Sequence, residues 1–180
     1  MARHQIDGHL VLVGLPGAGK STVGRAVAKR LGRPFLDFDL EIERRVGCSV
    51  AQYFAQHGEA AFREREVTLT RELAAAPPMV LSPGGGWVTN PGILAMLRPP
   101  GRIVHLKVSP EEAMRRIARS RIVRPLLQEA DPEAKMRKLW ETRRALYKEA
   151  DAEVDVEALT SQQVTESVVE LAHGGTLGIG

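Results

Sequence analysis

The sequence predicts an α/β fold in three layers, a parallel sheet with helices on both faces. Three observations predict it. His9 to Val13 is a β-branched and leucine-rich run that stops at Gly14, as a buried strand of a parallel sheet does. Strand-like and helix-like segments then alternate, the pattern of parallel strands joined by crossover helices. At 180 residues and 43% hydrophobic content, the chain is large enough for one domain with its own core.

From Ser21 to Leu31, apolar residues recur at Val23, Ala26, Val27, Ala28 and Leu31, which is helical spacing, and Gly32 with Pro34 closes the helix. Phe35 to Phe38 reads as a second strand. Asp39 to Val46 and Val50 to Gln56 read as helices separated at Gly47, and Glu59 to Ala75 as a longer helix ended by Pro77 and Pro78. Met79 to Leu81 is the third strand, running into Pro83-Gly84-Gly85-Gly86, and Arg102 to Val108 is the fourth. Ser109 to Glu112 has the Ser-x-x-Glu form of a capping box at the head of the next helix. Arg121 to Pro132 is polar and proline-punctuated. Glu133 to Glu149 is helical, Val154 to Val156 a last edge strand and Ser161 to Ala172 a last helix, with 173–180 as a frayed tail.

Gly14-Leu15-Pro16-Gly17-Ala18-Gly19-Lys20-Ser21 matches the Walker A pattern, between a strand and a helix as the pattern requires. Its glycines let backbone N–H groups turn in around phosphates, and the helix N-terminus adds its positive dipole end. Gly17, Ala18, Gly19, Lys20, Ser21 and Thr22 are thus candidate ATP contacts. Lys20 bridges the β- and γ-phosphates in this reading, and the Ser21 hydroxyl ligates Mg²⁺. The chain has no room for a motor's extra modules and no N/T-K-x-D guanine-reading sequence, which favours a kinase over a motor or a GTPase.

A formal charge of +3 is concentrated from Arg115 to Arg124 and from Lys135 to Lys148. Aromatics are 4% of the chain and do not interleave with the arginines, which disfavours nucleic acid; ATP and an anionic acceptor need the same field. The single cysteine, Cys48, excludes an intrachain disulfide, and no Cys/His cluster has metal-ligand spacing. MARHQIDGH is polar and leads into LVLVGL, too short for a signal sequence or a membrane span. A soluble protein of the reducing cytoplasm is expected.

Further polar residues cluster where strands end. Asp37 and Asp39 stand at i and i+2, a spacing that places both on one side of a pleat facing the ligand crevice. One carboxylate then holds a magnesium-bound water and the other takes a proton from an attacking hydroxyl; the competing reading makes Asp39 a helix N-cap. Arg63 and Glu66 lie one helical turn apart, and a solvated i,i+3 ion pair stands against a functional role on even terms. Gly84, Gly85 and Gly86 are entropically costly unless a ligand approaches the backbone. RIVRPLLQ, 121–128, suits a lid whose Arg124 closes over the transferring phosphoryl group.

GLPGAGKSTVGRAVAKRLGRPFLDFD, HGEAAFREREV, SPGGGWV, RPLL and RRALYKEAD together resemble the shikimate kinases in order and spacing, from Gly14 to about Asp151. The resemblance implies a P-loop NTPase fold of the nucleoside-monophosphate-kinase type, a five-stranded parallel sheet with a lid (117–132), an acceptor-binding region (37–66) and a core over 8–172. It implies transfer of the γ-phosphoryl group of ATP to the 3-hydroxyl of shikimate, with Mg²⁺ as cofactor, by a monomer. Lys20, Asp39 and Arg124 would be catalytic. Ser21 and Asp37 would serve the metal, and Asp39, Arg63, Gly84, Gly85, Gly86 and Arg143 the acceptor, with Glu66 orienting Arg63. Arg116 would border adenine. Pro83 and Trp87 depart from the residues usual in the family and predict a slightly altered pocket wall. A gluconate-type sugar-acid kinase, a nucleotide kinase and a nucleotide-binding module without catalysis remain the rival readings.

Overall fold

The computed structural model describes residues 5–120 and 130–175. Five strands form one parallel sheet: β1 (Leu10–Val13), β2 (Phe35–Asp37), β3 (Val80–Ser82), β4 (Arg102–Lys107) and β5 (Ala152–Asp155), in the order β2-β3-β1-β4-β5. All four residues of β1 are buried, because the central strand is covered on both faces; this is why it reads as a continuous apolar run. Helices α1 (Lys20–Leu31), α2 (Phe38–Val46), α3 (Val50–Ala74), α4 (Pro110–Arg119), α5 (Pro132–Tyr147) and α6 (Ser161–Ala172) connect and cover the strands, α1 packing on α6, α2 on α3 and α4 on α5.

Local chemistry sets the helix ends. Gly32 and Gly47 cap α1 and α2 with φ of 65° and 75°, where a side chain would be strained. Ser49 with Gln52, and Thr160 with Gln163, form reciprocal capping boxes. The box expected at Ser109 is only half made. Its hydroxyl accepts from the Glu112 N–H at 3.2 Å, but Glu112 turns to Arg116 (3.0 Å), and the Ser109 N–H donates to Glu157 instead. The two helices predicted on either side of Gly58 run on as α3, with a kink at that glycine (φ 81°, ψ 172°). Two short 3₁₀ turns, Trp87–Thr89 and Leu94–Met96, follow the glycine loop and were not expected.

One correction bears on the site. The strand predicted to run through Phe38 ends at Asp37, and α2 starts at Phe38. Asp37 and Asp39 therefore do not share a pleat. Asp37, not Asp39, is the helix N-cap, accepting from the Leu40 N–H at 3.3 Å, and Asp39 lies in the first turn. The physical reason is that an N-cap requires extended backbone, which the last residue of a strand already has (φ −94°, ψ 122°).

Candidate active site

The loop from Gly14 to Gly19 joins β1 to α1 at the C-terminal edge of the sheet. Gly14, Gly17 and Gly19 have φ of 154°, 85° and 88°. At the first two, a Cβ would also fall 2.6 Å from the Leu106 carbonyl oxygen and 2.7 Å from that of Ala113, so both conformation and space demand glycine. Gly19 caps α1 without a side-chain acceptor, which leaves the first N–H groups of the helix for an anion. Lys20 Nζ donates to the carbonyl oxygens of Gly14 (2.8 Å) and Leu15 (3.0 Å), folded along the loop that it is to serve.

Beside this cradle, the Ser21 hydroxyl donates to Asp37 Oδ2 at 2.5 Å, and the Ser82 hydroxyl lies 3.4 Å from it. Sequence reading missed Ser82. The sheet places it, since Asp37 and Ser82 are partners in the β2–β3 register and both strands end at the crevice. Two hydroxyls and a carboxylate are hard oxygen donors, the set that suits Mg²⁺ completed by phosphate oxygens and water. Among the described residues no cluster of three His, Cys, Asp or Glu makes a dedicated metal cage. A cavity of about 190 Å³ is bounded by these groups together with Pro16, Asp39, Pro83, Gly84 and Gly85.

The acceptor residues predicted from sequence converge at its mouth. Gly84, Gly85 and Gly86 are not at positive φ, so turn geometry does not explain them. Space does. A Cβ on Gly84 would lie 2.8 Å from Asp39 Oδ1, one on Gly85 3.1 Å from Arg143 Nη1, and one on Gly86 2.1 Å from Arg63 Nη2. Each of the three side chains thus lies directly over one glycine of a bare backbone ribbon. The even choice over Arg63 and Glu66 resolves against a solvated pair. Arg63 Nη1 donates to Glu66 Oε2 at 2.7 Å, and the Glu66 side chain is 0% exposed. Glu59 takes Arg63 Nη2 at 2.9 Å, and Asn90, also missed from sequence, donates to Glu66 Oε2 at 3.0 Å. Oε1 of Glu66 is buried without a hydrogen-bond partner. Burial pushes the Glu66 carboxyl above the usual range, against the pull of Arg63. Arg143, half-buried, makes no ion pair among the described residues.

Asp39 carries the electrostatic signature of the site. Burial first, then the neighbouring charges of Asp37 and Glu66, push its carboxyl up to about 6, with Lys20 opposing. Trp87, expected to alter the pocket wall, does not line it. Its ring is fully buried, edge-on to Phe38 (6.2 Å), and its Nε1 donates to Thr70 Oγ1 at 2.9 Å.

On the other side of the cradle, a cavity of about 250 Å³ runs from Gly17, Gly19 and Thr22 to Arg116, Val156 and Leu159. Arg116 donates to Glu112 Oε1 (3.0 Å) and to the Val156 carbonyl (2.8 Å), so it stands at the wall where the sequence expected it to border a base. Arg124 and the rest of the RPLL motif lie outside the described residues. Among the described residues, no helix is long and apolar enough to cross a membrane.

Comparison with known proteins identifies the family. The profile of the family described as "Shikimate kinase" matches residues 16–173. The shikimate kinase of Paracidovorax citrulli is 50% identical over 141 residues, 77% of this chain and 76% of its own. A shikimate kinase of Pseudomonas aeruginosa is 44% identical over 163 residues, 90% of this chain and 94% of its own. Among solved structures, shikimate kinase from Acinetobacter baumannii in complex with shikimate superposes with a TM-score of 0.86 at 36% identity, covering 96% of this chain and 97% of that one. A gluconokinase from Sinorhizobium meliloti, at 20% identity and a TM-score of 0.61, shares the fold. A phosphate cradle, a hydroxyl–carboxylate pair beside it and two arginines over a glycine ribbon are thus found in a chain matched over most of its length: it belongs to the shikimate kinase family, ATP-dependent kinases.

Proposed function

We propose that this chain transfers the γ-phosphoryl group of ATP to the 3-hydroxyl of shikimate, giving shikimate 3-phosphate and ADP, and that its residues divide the work as follows. The loop from Gly14 to Gly19 and the N-terminus of α1 hold the phosphates by backbone N–H groups, with Lys20 swinging from the Gly14 and Leu15 carbonyls to the β- and γ-phosphates. Ser21 and Asp37 would hold Mg²⁺, which would neutralise charge on the phosphates. Arg63 and Arg143 clamp the acceptor carboxylate, and the N–H groups of the glycine ribbon approach the ring.

Asp39 anchors the ring hydroxyls and takes the proton of the attacked one as its oxygen bonds to the γ-phosphorus and the bond from phosphorus to the ADP oxygen breaks. With its carboxyl near 6, Asp39 is ionised at neutral pH yet basic enough to accept that proton. Arg124, placed by its motif, would close over the transferring group, and Arg116 would border the base. The chain would act as a single kinase domain and as a monomer, each site being built from one chain, in the cytoplasm.

The observation that carries this reading is the stacking of Asp39, Arg143 and Arg63 on three successive glycines beside the phosphate cradle. A ligand with one carboxylate and several hydroxyls meets two guanidinium groups, a carboxylate and bare backbone donors at once. The test is ADP release from Mg·ATP with shikimate, gluconate and AMP offered separately. Stimulation by shikimate alone supports the reading; stimulation by gluconate or AMP instead refutes the acceptor.

A further inference from the structure

The mechanism leaves Tyr147 unused, although it is fully enclosed at the C-terminal end of α5 and its hydroxyl reaches the glycine ribbon. That hydroxyl lies 3.4 Å from the Gly85 carbonyl, to which it donates. The Arg143 guanidinium, one helical turn earlier, sits over Gly85. Gly85 thus meets Tyr147 and Arg143 together, and among the described residues Arg143 makes no ion pair that would fix it.

What holds Tyr147 is a stack of rings. His105 on β4 lies face to face with it, centroids 4.6 Å apart and planes 11° from parallel, and Trp140 flanks both at 6.4 Å. His105 is itself oriented by Glu153, its register partner on β5, through Nδ1 at 3.1 Å. Offset ring stacks of this kind contribute beyond the area they bury, and β4 is a central strand of the sheet. A continuous line of contacts thus runs from the sheet through His105 and Tyr147 to the arginine and the carbonyl at the acceptor pocket.

We propose that Tyr147 is a positioning residue for the acceptor carboxylate, its hydroxyl, braced by the stack on His105, setting the Gly85 carbonyl and the Arg143 guanidinium in their working geometry. The inference rests on the reading of Arg143 as an acceptor contact. It assigns Tyr147 and His105 no contact with substrate. Because the Tyr147 hydroxyl meets Gly85 beneath Arg143 on the acceptor side, its removal must raise KM for shikimate far more than KM for ATP, a split that general destabilisation does not produce.

The experiment is steady-state kinetics with shikimate and ATP varied in turn, on Tyr147→Phe, His105→Ala, His105→Phe and Arg143→Ala. Tyr147→Phe is expected to raise the shikimate KM about three- to tenfold, the loss of one hydrogen bond of ordinary net worth, with the ATP KM within twofold of the parent. His105→Ala is expected to raise the shikimate KM likewise, and His105→Phe, which keeps the stack, to restore most of the affinity. Should Tyr147→Phe fold poorly, the two His105 variants carry the test. An unchanged shikimate KM in Tyr147→Phe alongside a raised one in Arg143→Ala overturns the proposal and leaves the Arg143 reading standing. An unchanged KM in Arg143→Ala removes that reading and the proposal with it.

Discussion

Gly86→Ala should disable acceptor binding by displacing a side chain 23 residues earlier in the chain. At Gly86 the backbone is helical (φ −90°, ψ −6°), so alanine is conformationally acceptable there. The obstacle is Arg63. A Cβ would sit 2.1 Å from Nη2, 2.5 Å from Cζ and 2.6 Å from Nη1, so the whole guanidinium plate is in the way. Reaching ordinary contact at 3.4 Å requires Arg63 to retreat by about 1.3 Å, which breaks its 2.7 Å bond to Glu66. Removing one partner of a buried ion pair costs about 3–5 kcal/mol; Arg63 is displaced and not removed, so about 2–3 kcal/mol is expected. For a chain of this length that is a fall in Tm of about 4–12 °C. The displaced arginine loses one charge-assisted grip on the acceptor carboxylate, about 1.5–3 kcal/mol, or a rise of roughly 10- to 150-fold in the shikimate KM. Gly32→Ala is the comparison. Gly32 has nothing within 4 Å of a Cβ but a φ of 65°, so it should cost about 1–2 kcal/mol of stability with no change in KM. The assays are thermal melts and steady-state kinetics with each substrate varied. A Gly86→Ala enzyme with the parent's shikimate KM and Tm would refute the packing described.

Asp39, with its carboxyl near 6, should give kcat/KM an acid limb with an apparent pKa of about 6, activity rising as the group ionises. Its folded value lies above the unfolded value of about 3.9, so the folded chain binds the extra proton between about pH 4 and 6 and loses stability as pH rises through that window. Asp39→Asn should therefore cut turnover about 10²- to 10⁴-fold while gaining about 1–3 kcal/mol at pH 8 and little at pH 4; denaturant melts at both values check it. Asp37→Asn should raise the Mg²⁺ concentration for half-maximal activity by tenfold or more, read from a metal titration at fixed ATP; an unchanged midpoint would remove Asp37 from the metal's shell. Arg116→Ala should raise the ATP KM about three- to tenfold and leave that for shikimate alone, and the opposite pattern would take Arg116 off the nucleotide wall.

What could be read from the sequence follows from where each constraint acts. The cradle was legible because its geometry is local: positive φ and close approach leave glycines at fixed spacing, and the lysine and serine follow on the same turn. The glycine ribbon was legible as a candidate site but not in its packing, because Asp39, Arg63 and Arg143 arrive from three distant segments. The Asp37–Asp39 pair was identified while its geometry was misread. Periodicity carries a strand one residue too far, and only the capping bond to Leu40 marks the change to helix. Helical spacing predicted the Arg63–Glu66 pair, but its burial is decided by a loop 20 residues later. Asn90 and Ser82 had no local signature at all; the first is placed by a 3₁₀ turn and the second by strand register.

The order of the sheet has one more consequence. β2 stands at its edge, is three residues long and only half-buried, yet Asp37 is its last residue and α2 with Asp39 hangs from it. Short edge strands open at lower free energy than the core they flank. The Asp37 carboxylate that meets Ser21 and the proposed base thus hang from a short edge strand, while Ser21 itself and the cradle follow the fully buried strand β1. Under rising denaturant, phosphoryl transfer is expected to disappear before the buried indole of Trp87 reports global unfolding, with nucleotide binding outlasting turnover.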